Sequence, residues 1–208
     1  MRRTKEDAEQ TRRSILASAM DIFYEKGYSK TTFDEIAKRI NLTKGAVYWY
    51  FRNKPDIVAA LINDFSERYM AVVDNFLAQY PEINFDRIIR MELFINKQIR
   101  EDQHLYKFLF FITCQMEWSE AIISKIQPSI EQTKQVMRNL FINSLKTLQQ
   151  QKQIREDVDI PMICELLMAL YSGLLEAAFT RRLTSEFDTA VETGFNLIFN
   201  SIKTEGTK

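Results

Sequence analysis

Apolar residues recur at intervals of three and four along most of the chain, which is the period of an amphipathic α-helix. The first of these patterns covers residues 5–26, and one helical face there holds the apolar side chains of Ile15, Leu16, Ala19, Ile22 and Phe23. Alternation typical of a β-strand is nearly absent, and only five Gly and four Pro occur in 208 residues. The sequence therefore predicts an all-α protein.

Threonines at helix N-cap positions set several boundaries. Thr4 with Asp7 predicts a cap for the first helix, and Thr32 with Glu35 fits a capping box for the second. Thr43 is predicted to cap a helix of barely two turns. Gly27 stands where a helix end favours glycine. The remaining predicted helices cover residues 55–80, 85–101, 103–113, 119–126, 128–151, 161–182 and 186–203.

Four aromatic residues follow one another in the stretch KGAVYWYFRNK. Successive residues of a helix are rotated by about 100°, so these four side chains cannot all face one core. Val47 and Phe51, four positions apart, are the predicted core pair. Tyr48, Trp49 and Tyr50 are then expected at a boundary or on the surface.

Basic residues flank these aromatics, and no acid lies between Ile36 and Pro55. Cations bind phosphates, and exposed rings and methylenes contact thymine methyls in the major groove. The pattern favours a helix-turn-helix whose short second helix enters the groove. The alternative is a hydrophobic joint, in which these rings pack on the first helix or on the long helix that follows.

Basic and acidic residues are distributed unevenly along the chain. Residues 1–56 hold 12 Lys+Arg and 8 Asp+Glu, whereas the remainder holds 16 and 20, and the whole chain has a formal net charge of +0. A basic N-terminal part and an acidic remainder indicate two parts with different functions.

The stretch TTFDEIAKRINLTKGAVYWYFRNKPDIVAALI resembles the DNA-binding head of the TetR family of bacterial repressors. The resemblance covers Glu9 to about Leu61 and is carried by the motif T-[KR]-G-x-[LIV]-Y-x-[HY]-F-x-[NS]-K. The opening RRTKEDAEQTRRSIL and the segment KQIREDVDIPMICELLMALYSGLLEAAF are similar to the AcrR-like branch, which represses multidrug efflux pumps. In the second segment Lys152 and Gln153 replace the usual Gly-Gln.

The resemblance implies a helix-turn-helix head over residues 1–54 and a helical ligand-binding and dimerisation domain over residues 55–208. It also implies DNA contacts: phosphates at Thr32, Thr43 and Lys54, base edges at Lys44 and Gly45, and backbone and thymine methyls at Tyr48, Trp49 and Tyr50. Tyr50 stands where many members have His. Arg2, Arg3 and Lys5 are either an arm on the DNA or a solvated terminus.

The last two long helices are expected to form a four-helix bundle with their copies in a homodimer, as in that family. The helix over residues 161–182 is apolar on two sides, which predicts a buried helix between its own core and a partner, and not a membrane span. The predicted interface residues are Leu166, Ala169, Leu170, Gly173, Ala177, Phe195, Ile198, Phe199 and Ile202.

The middle of the chain is rich in aromatics and methionine. These side chains are either plain core or the walls of a cavity for a lipophilic or aromatic inducer, with Asn96 and Gln115 as orienting groups and Glu117 as a partner for a cationic compound. The predicted ligand-binding set is Met91, Phe94, Asn96, Phe108, Phe111, Gln115, Glu117, Trp118, Met137 and Phe141.

Signals of catalysis are missing from the sequence. His104 is the only histidine, Cys114 and Cys164 lack metal-site spacing and are expected to be reduced thiols, and no phosphate-binding glycine motif occurs. A lone catalytic carboxylate is the enzyme alternative. We therefore expect a cytoplasmic, homodimeric repressor of a palindromic operator, without enzyme activity, cofactor or metal, that a small molecule releases. The alternative is a DNA-binding dimer of the same fold that docks a protein partner.

Overall fold

The computed structural model describes residues 4–204, apart from the side chains of Ala121 and Thr133. Within that range the secondary structure is helical, apart from one isolated bridge between Ile154 and Lys203. The helices are α1 (Lys5–Lys26), α2 (Phe33–Arg39), α3 (Lys44–Tyr50), α4 (Lys54–Gln79), α5 (Phe85–Glu101), α6 (Gln103–Phe110), a π-helical turn (Phe111–Gln115), α7 (Glu120–Gln150), α8 (Ile160–Phe179) and α9 (Phe187–Ile202). The predicted all-α fold is confirmed.

The predicted caps of α1 and α2 are confirmed, and the structure shows that the cap at Thr4 is a capping box like the one predicted at Thr32. The Thr4 hydroxyl accepts the backbone N–H of Asp7 at 3.1 Å, and the Asp7 carboxylate accepts the backbone N–H of Thr4 at 3.0 Å. Thr32 and Glu35 exchange the same pair of bonds at the start of α2. These contacts satisfy backbone groups that have no partner inside the helix, which is why the sequence signal located both starts well.

Two predicted helix boundaries are wrong. The predicted break at Pro128 does not occur, because Pro128 lies within α7 on its exposed side, where water reaches the backbone groups that lose a hydrogen bond. The helix predicted for residues 103–113 keeps α-helical geometry only to Phe110 and then widens into the π-helical turn. Such turns insert one extra residue and have no simple sequence signature.

The chain forms two compact units. Unit 1 comprises Met1–Arg68 and Glu101–Glu131, and unit 2 comprises Tyr69–Arg100 and Gln132–Lys208. The core of unit 1 includes the fully buried Ile15, Phe23 and Ile57, and Phe23 stacks on Phe111 with ring centroids 4.9 Å apart. The predicted functional division at residues 54/55 stays a prediction.

Unit 2 is built around residues of α5, α7, α8 and α9. Phe195 and Phe199 of α9 are fully buried there, their rings lie 6.0 Å apart, and Phe85 packs on Phe199 at 5.0 Å. Gly194 lets α8 approach α9 closely, since a Cβ at that position would lie 2.6 Å from a methyl carbon of Leu170.

These contacts correct the predicted dimer interface. Phe195, Phe199 and Ile202 are at most 3% exposed within their own chain, so they have no surface to offer a partner. The spacing of these residues along α9 fits a face packed on the chain's own core as well as a face packed on a partner. The sequence pattern therefore could not distinguish core residues from interface residues. Leu170 and Ile198 are half-buried against the same core.

By length and composition alone, helix α8 is long and apolar enough to cross a membrane. Only 22% of its most apolar stretch is buried within the chain. Its buried residues are Ile160, Cys164 and Leu167. The opposite side is exposed and carries the apolar or small residues Met162, Leu166, Ala169 and Gly173. The single chain therefore covers one of the two apolar sides that the sequence predicted to be buried.

A buried acid lies in unit 2. Glu92 of α5 is 4% exposed, and its Oε1 atom has no hydrogen-bond partner among the described residues. Burial raises the pKa of this carboxyl from 4.5 to about 8, because removal from water disfavours the charged form. The folded chain thus holds a proton near neutral pH that the unfolded chain releases.

Glu92→Gln tests that linkage. Between the ordinary pKa of 4.5 and the folded value of about 8, the folded state binds more protons, so stability falls as pH rises through this window and levels off above it. Glutamine has no proton to lose. The free energy of unfolding of the variant relative to wild type should increase by up to about 1.4 kcal/mol for each pH unit in the window.

Urea unfolding at several pH values measures that difference. Glu156→Gln makes the same chemical change at an exposed position and serves as the matched control. Parallel stability curves for Glu92→Gln and wild type would show that Glu92 has no raised pKa.

Candidate nucleic-acid interface

Helix α3 distributes its aromatics as the sequence predicted. Val47 and Phe51 are 0% and 4% exposed, whereas Tyr48 is 50% and Trp49 is 75% exposed. Tyr50 is half-buried, and its ring meets that of Trp49 edge-on at 4.6 Å. One face of α3 therefore fixes the helix to the protein and the other presents large rings to solvent.

The turn between α2 and α3 is tight. Asn41 adopts a left-handed backbone conformation with φ 54°, and its N–H donates to the carbonyl of Lys38 at 3.2 Å. Asparagine tolerates this conformation better than most residues. The N–H of Leu42 donates to the carbonyl of Ala37 at 2.9 Å, which closes the end of α2 and brings Thr43 to the start of α3.

Helix α2 is anchored to α1 and to α3. The Ser18 hydroxyl of α1 donates to the Ile36 carbonyl at 3.1 Å in a buried contact. Phe33 of α2 packs on Tyr48 of α3 with ring centroids 4.7 Å apart. The pair of short helices is thus held in the arrangement of a helix-turn-helix.

The basic residues around α3 fall into two groups. Lys38 pairs with Asp34 at 2.8 Å, and Arg39 forms two hydrogen bonds with Glu25 at 2.8 and 2.6 Å. By contrast, neither Lys44 nor Arg52 forms an ion pair within residues 4–204, and both are exposed. The positive charge available to a partner at α3 comes from these two side chains.

Lys54 is engaged inside the protein. Its ammonium donates to the carbonyls of Tyr28 and Ser29 at 2.7 and 3.2 Å and lies 4.4 Å from the centre of the Tyr28 ring. Burial lowers the pKa of this ammonium. These contacts tie the start of α4 to the loop after α1, a structural role that the sequence motif did not reveal. The phosphate contact expected of Lys54 stays a prediction.

Three other predicted contact residues lie at helix N-termini. Thr43 caps α3 by accepting the N–H of Ala46 at 3.2 Å, and the Thr32 hydroxyl donates to Glu35 at 2.8 Å. Gly45 is exposed, and a Cβ built there would meet only the Thr43 hydroxyl oxygen, at 3.9 Å. Packing within the chain therefore does not require glycine at this position.

The predicted N-terminal arm falls partly outside the described residues. Arg2 and Arg3 lie outside the described residues, and Lys5 is exposed in the first turn of α1.

The ten predicted ligand-binding residues are divided between the two units. In unit 2, Met91, Asn96 and Phe141 are buried and Phe94 and Met137 are half-buried. Asn96 donates to Asp188 of α9 at 2.6 Å, so its amide is engaged with a neighbouring helix.

In unit 1, Phe108 packs on Phe65 at 4.7 Å and Phe111 is fully buried. The Gln115 amide donates to the Tyr24 carbonyl at 3.0 Å, and its buried Oε1 has no partner among the described residues. Glu117 accepts the Ser29 hydroxyl at 2.5 Å and is exposed, as is Trp118.

A cleft of about 690 Å³ lies within unit 1, among α1, α4 and α6. Its floor includes Leu16, Met20 and Phe65, and its rim carries charged side chains of α1 and α4. Of the ten predicted ligand-binding residues, Phe108 lines it. The sequence pattern did not indicate this cleft, because its lining comes from three separate helices.

Sequence reasoning also missed Glu92. It lies between the predicted Met91 and Phe94, but a single acid in a helix is usually solvated. Only its burial, which the fold decides, distinguishes it from the other acids of α5.

Comparisons with known proteins agree with this geometry. Residues 15–61 match the family model "Bacterial regulatory proteins, tetR family". The regulator TtgR of Pseudomonas putida is 42% identical over 69 residues, which is 33% of this chain and 33% of that protein. The regulator AcrR of Shigella flexneri is 26% identical over 84% of this chain and 81% of its own length.

A solved structure extends the similarity over the fold. SmeT in complex with triclosan superposes with a TM-score of 0.77 at 21% identity, covering 96% of this chain and 94% of that one. The matched segment, residues 15–61, contains the α2–α3 pair with its capped turn and exposed aromatics. The chain therefore carries the helix-turn-helix head of the TetR family of bacterial regulatory proteins, and its all-α architecture matches the fold of that family.

Proposed function

We propose that the protein is a ligand-responsive transcriptional repressor that acts in the cytoplasm as a homodimer and binds a palindromic operator through α3. The observation that carries this proposal is the surface of α3, where Tyr48 and Trp49 are 50% and 75% exposed. Beside them lie Lys44 and Arg52, which form no ion pair with the residues that the structure describes. Large exposed rings next to free cations suit the phosphates and thymine methyls of a major groove.

The alternative role of α3 as a hydrophobic joint finds less support. A joint would bury the aromatic rings against other helices of the chain. Only Phe51 is buried in that way, whereas Tyr48 and Trp49 keep at least half of their surface open to solvent. Exposed aromatic surface of this kind is typical of a binding site.

Dimerisation is supported by α8. Leu166 is 48% and Met162 51% exposed on the side of α8 that its own core leaves uncovered, and Leu197 of α9 is 68% exposed. Ala169 and Gly173 lie on the uncovered side and would let a partner helix approach closely. Two heads in a two-fold arrangement would read both halves of a palindrome, with half-sites one or more turns of about 34–36 Å apart.

Release by a small molecule is supported by a structural relative. SmeT, described as the repressor of the Stenotrophomonas maltophilia multidrug efflux pump SmeDEF, has been solved with triclosan. By analogy, we propose that lipophilic or aromatic compounds release this protein from an operator that controls an efflux operon. Ligand would favour a state whose heads no longer match the half-site spacing.

DNA selection from the source genome tests the function. At about 0.15 M salt, where non-specific binding is weak, the purified protein should recover a palindrome next to its own gene and a transporter operon. The recovered DNA then serves to screen lipophilic compounds for release. A palindrome that no compound releases, together with a protein partner that binds the complex, would favour the alternative of a dimer that docks a protein.

Gly45→Ala tests the approach of α3 to DNA. Alanine favours the helix by up to about 1 kcal/mol and meets no atom closer than 3.9 Å, so the variant should be at least as stable as wild type. Its Cβ should nevertheless block close contact with base edges and weaken operator binding about tenfold, or about 1.4 kcal/mol. Fluorescence anisotropy on the selected operator measures this change.

Val47→Ala is the matched control for Gly45→Ala. Val47 is fully buried, so this variant should lose about 2 kcal/mol of stability while its exposed surface keeps the wild-type groups.

Because Gly45→Ala removes no charge, the salt dependence of its binding should equal that of wild type. Unchanged operator affinity of Gly45→Ala would show that this end of α3 does not approach the bases.

Leu166→Glu tests the dimer. A carboxylate in a helix–helix interface must be desolvated without a partner, at a cost of several kcal/mol, so the variant should sediment as a monomer at micromolar concentration. Ile123→Glu places the same charge at an apolar residue of α7 that is 43% exposed, and it should sediment as a dimer. A monomeric wild-type protein, or the same sedimentation of both variants, would contradict the proposed interface.

A further inference from the structure

The connection between α3 and α4 is short and is closed by side chains. It consists of Phe51, Arg52 and Asn53. The Asn53 side chain accepts the backbone N–H of Asp56 at 3.0 Å and caps α4. The Asp56 carboxylate accepts the backbone N–H of Arg52, also at 3.0 Å. Asp56 therefore fixes the backbone one residue after Phe51, the C-cap of α3.

A lysine of α7 contacts both of these capping side chains. The Lys125 ammonium lies 2.5 Å from Oδ1 of Asp56 and donates to Oδ1 of Asn53 at 3.2 Å. The second oxygen of Asp56, Oδ2, is the atom that accepts the N–H of Arg52. A single carboxylate thus connects α7 to the residue that follows the C-cap of α3, and all of these residues belong to unit 1.

The segment before α7 makes a second contact with the head. Glu117 accepts the Ser29 hydroxyl at 2.5 Å. Lys54 donates to the carbonyls of Tyr28 and Ser29 from the start of α4. Burial raises the pKa of the Tyr28 phenol, and the charge of the nearby Glu117 raises it further. Residues 117–125 therefore contact the loop after α1 as well as the start of α4.

We propose that Lys125 is a positioning residue for operator binding, which acts through Asp56 to hold Arg52 and the end of α3 in the geometry that meets DNA. The proposal rests on the DNA-binding role of α3 proposed above, and it adds a residue that does not itself contact the DNA. Arg52 is one of the two exposed cations beside the aromatic rings of α3. The course of its backbone decides where its charge meets a phosphate.

The strength of the ion pair limits the size of the effect. The side chains of Lys125 and Asp56 are 39% and 24% exposed, and a partly exposed ion pair changes an equilibrium by at most about fivefold. Loss of the pair therefore leaves the fold intact but lowers the fraction of heads in the competent geometry, and apparent affinity falls with that fraction. Because both heads of a homodimer must fit the operator, we expect a loss of about tenfold.

Lys125→Met tests the proposal in the full-length protein, since methionine has a similar length and no charge. Lys134→Met removes the same charge from an exposed lysine of the same helix and is the matched control. Lys125→Arg keeps the charge and can still pair with Asp56. Fluorescence anisotropy on the selected operator and on a scrambled duplex, at several salt concentrations, measures the specific affinity, the non-specific affinity and the salt dependence of each variant.

Lys125→Met should bind the operator about tenfold more weakly than wild type. Its melting temperature, its salt dependence and its affinity for the scrambled duplex should equal those of Lys134→Met, and Lys125→Arg should restore operator affinity. A weaker salt dependence than that of Lys134→Met would show that Lys125 contacts a phosphate directly. That result, or operator affinity equal to wild type, would overturn the proposal.

Asp56→Asn separates positioning from the neutralisation of a charge. If Lys125 positions Arg52 through Asp56, Asp56→Asn should weaken operator binding by about the same factor as Lys125→Met. The double variant should then be no weaker than either single variant, because both break one interaction. Stronger binding by Asp56→Asn, with wild-type affinity in the double variant, would show that Lys125 only neutralises Asp56 and would contradict the positioning role.

Hydrogen exchange separates this proposal from the proposed function, since it needs no DNA. The Arg52 amide is bonded to Asp56, so it should exchange faster in Lys125→Met than in wild type or Lys134→Met. Unchanged exchange, or faster exchange without loss of operator affinity, would defeat the role of Lys125 and leave the proposed function standing. If wild type selects no palindrome, the proposed function fails and the positioning role fails with it.

Discussion

The surface that would meet DNA depends on the anchoring of a helix too short to be stable alone. Helix α3 has seven residues, and isolated helices of that length do not persist in water. Val47 and Phe51 supply the buried contacts that hold it, Phe33 packs on Tyr48, and Thr43 satisfies an N-terminal backbone group. Because these contacts hold one face of α3 against the protein, the opposite face can present Trp49 to solvent.

The contacts around the head also decide which cations remain available. Lys38 and Arg39 are bound to acids of α2 and α1, and Lys54 is bound to carbonyls of the loop after α1. Surface ion pairs of this kind contribute little to stability, but they lower the charge offered to a polyanion. Lys44 and Arg52 are left beside the exposed rings, so charge and aromatic surface coincide at α3.

Unit 2 contains polar groups whose burial destabilises the fold to different extents, depending on whether they are hydrogen-bonded. The Asn96–Arg100–Asp188 cluster satisfies its members with charge-assisted hydrogen bonds. Glu92, one turn from Asn96, is buried with an unpartnered oxygen. An unpaired buried carboxyl is retained at a cost to stability, and such groups cluster at functional sites. The single chain also leaves the apolar side of α8 that carries Met162 and Leu166 exposed to solvent.

The sequence by itself determined the helical class, the capped starts of α1 and α2, and the division of α3 into a buried pair and exposed aromatics. These features depend on residues three or four positions apart, so local periodicity and capping chemistry are sufficient. Tertiary structure alone decided that Phe195 and Phe199 face their own core, that Lys54 binds the Tyr28 carbonyl, and that Glu92 is buried. An apolar stripe does not say which helix covers it, and an acid does not show whether water reaches it, because both depend on segments distant in the chain.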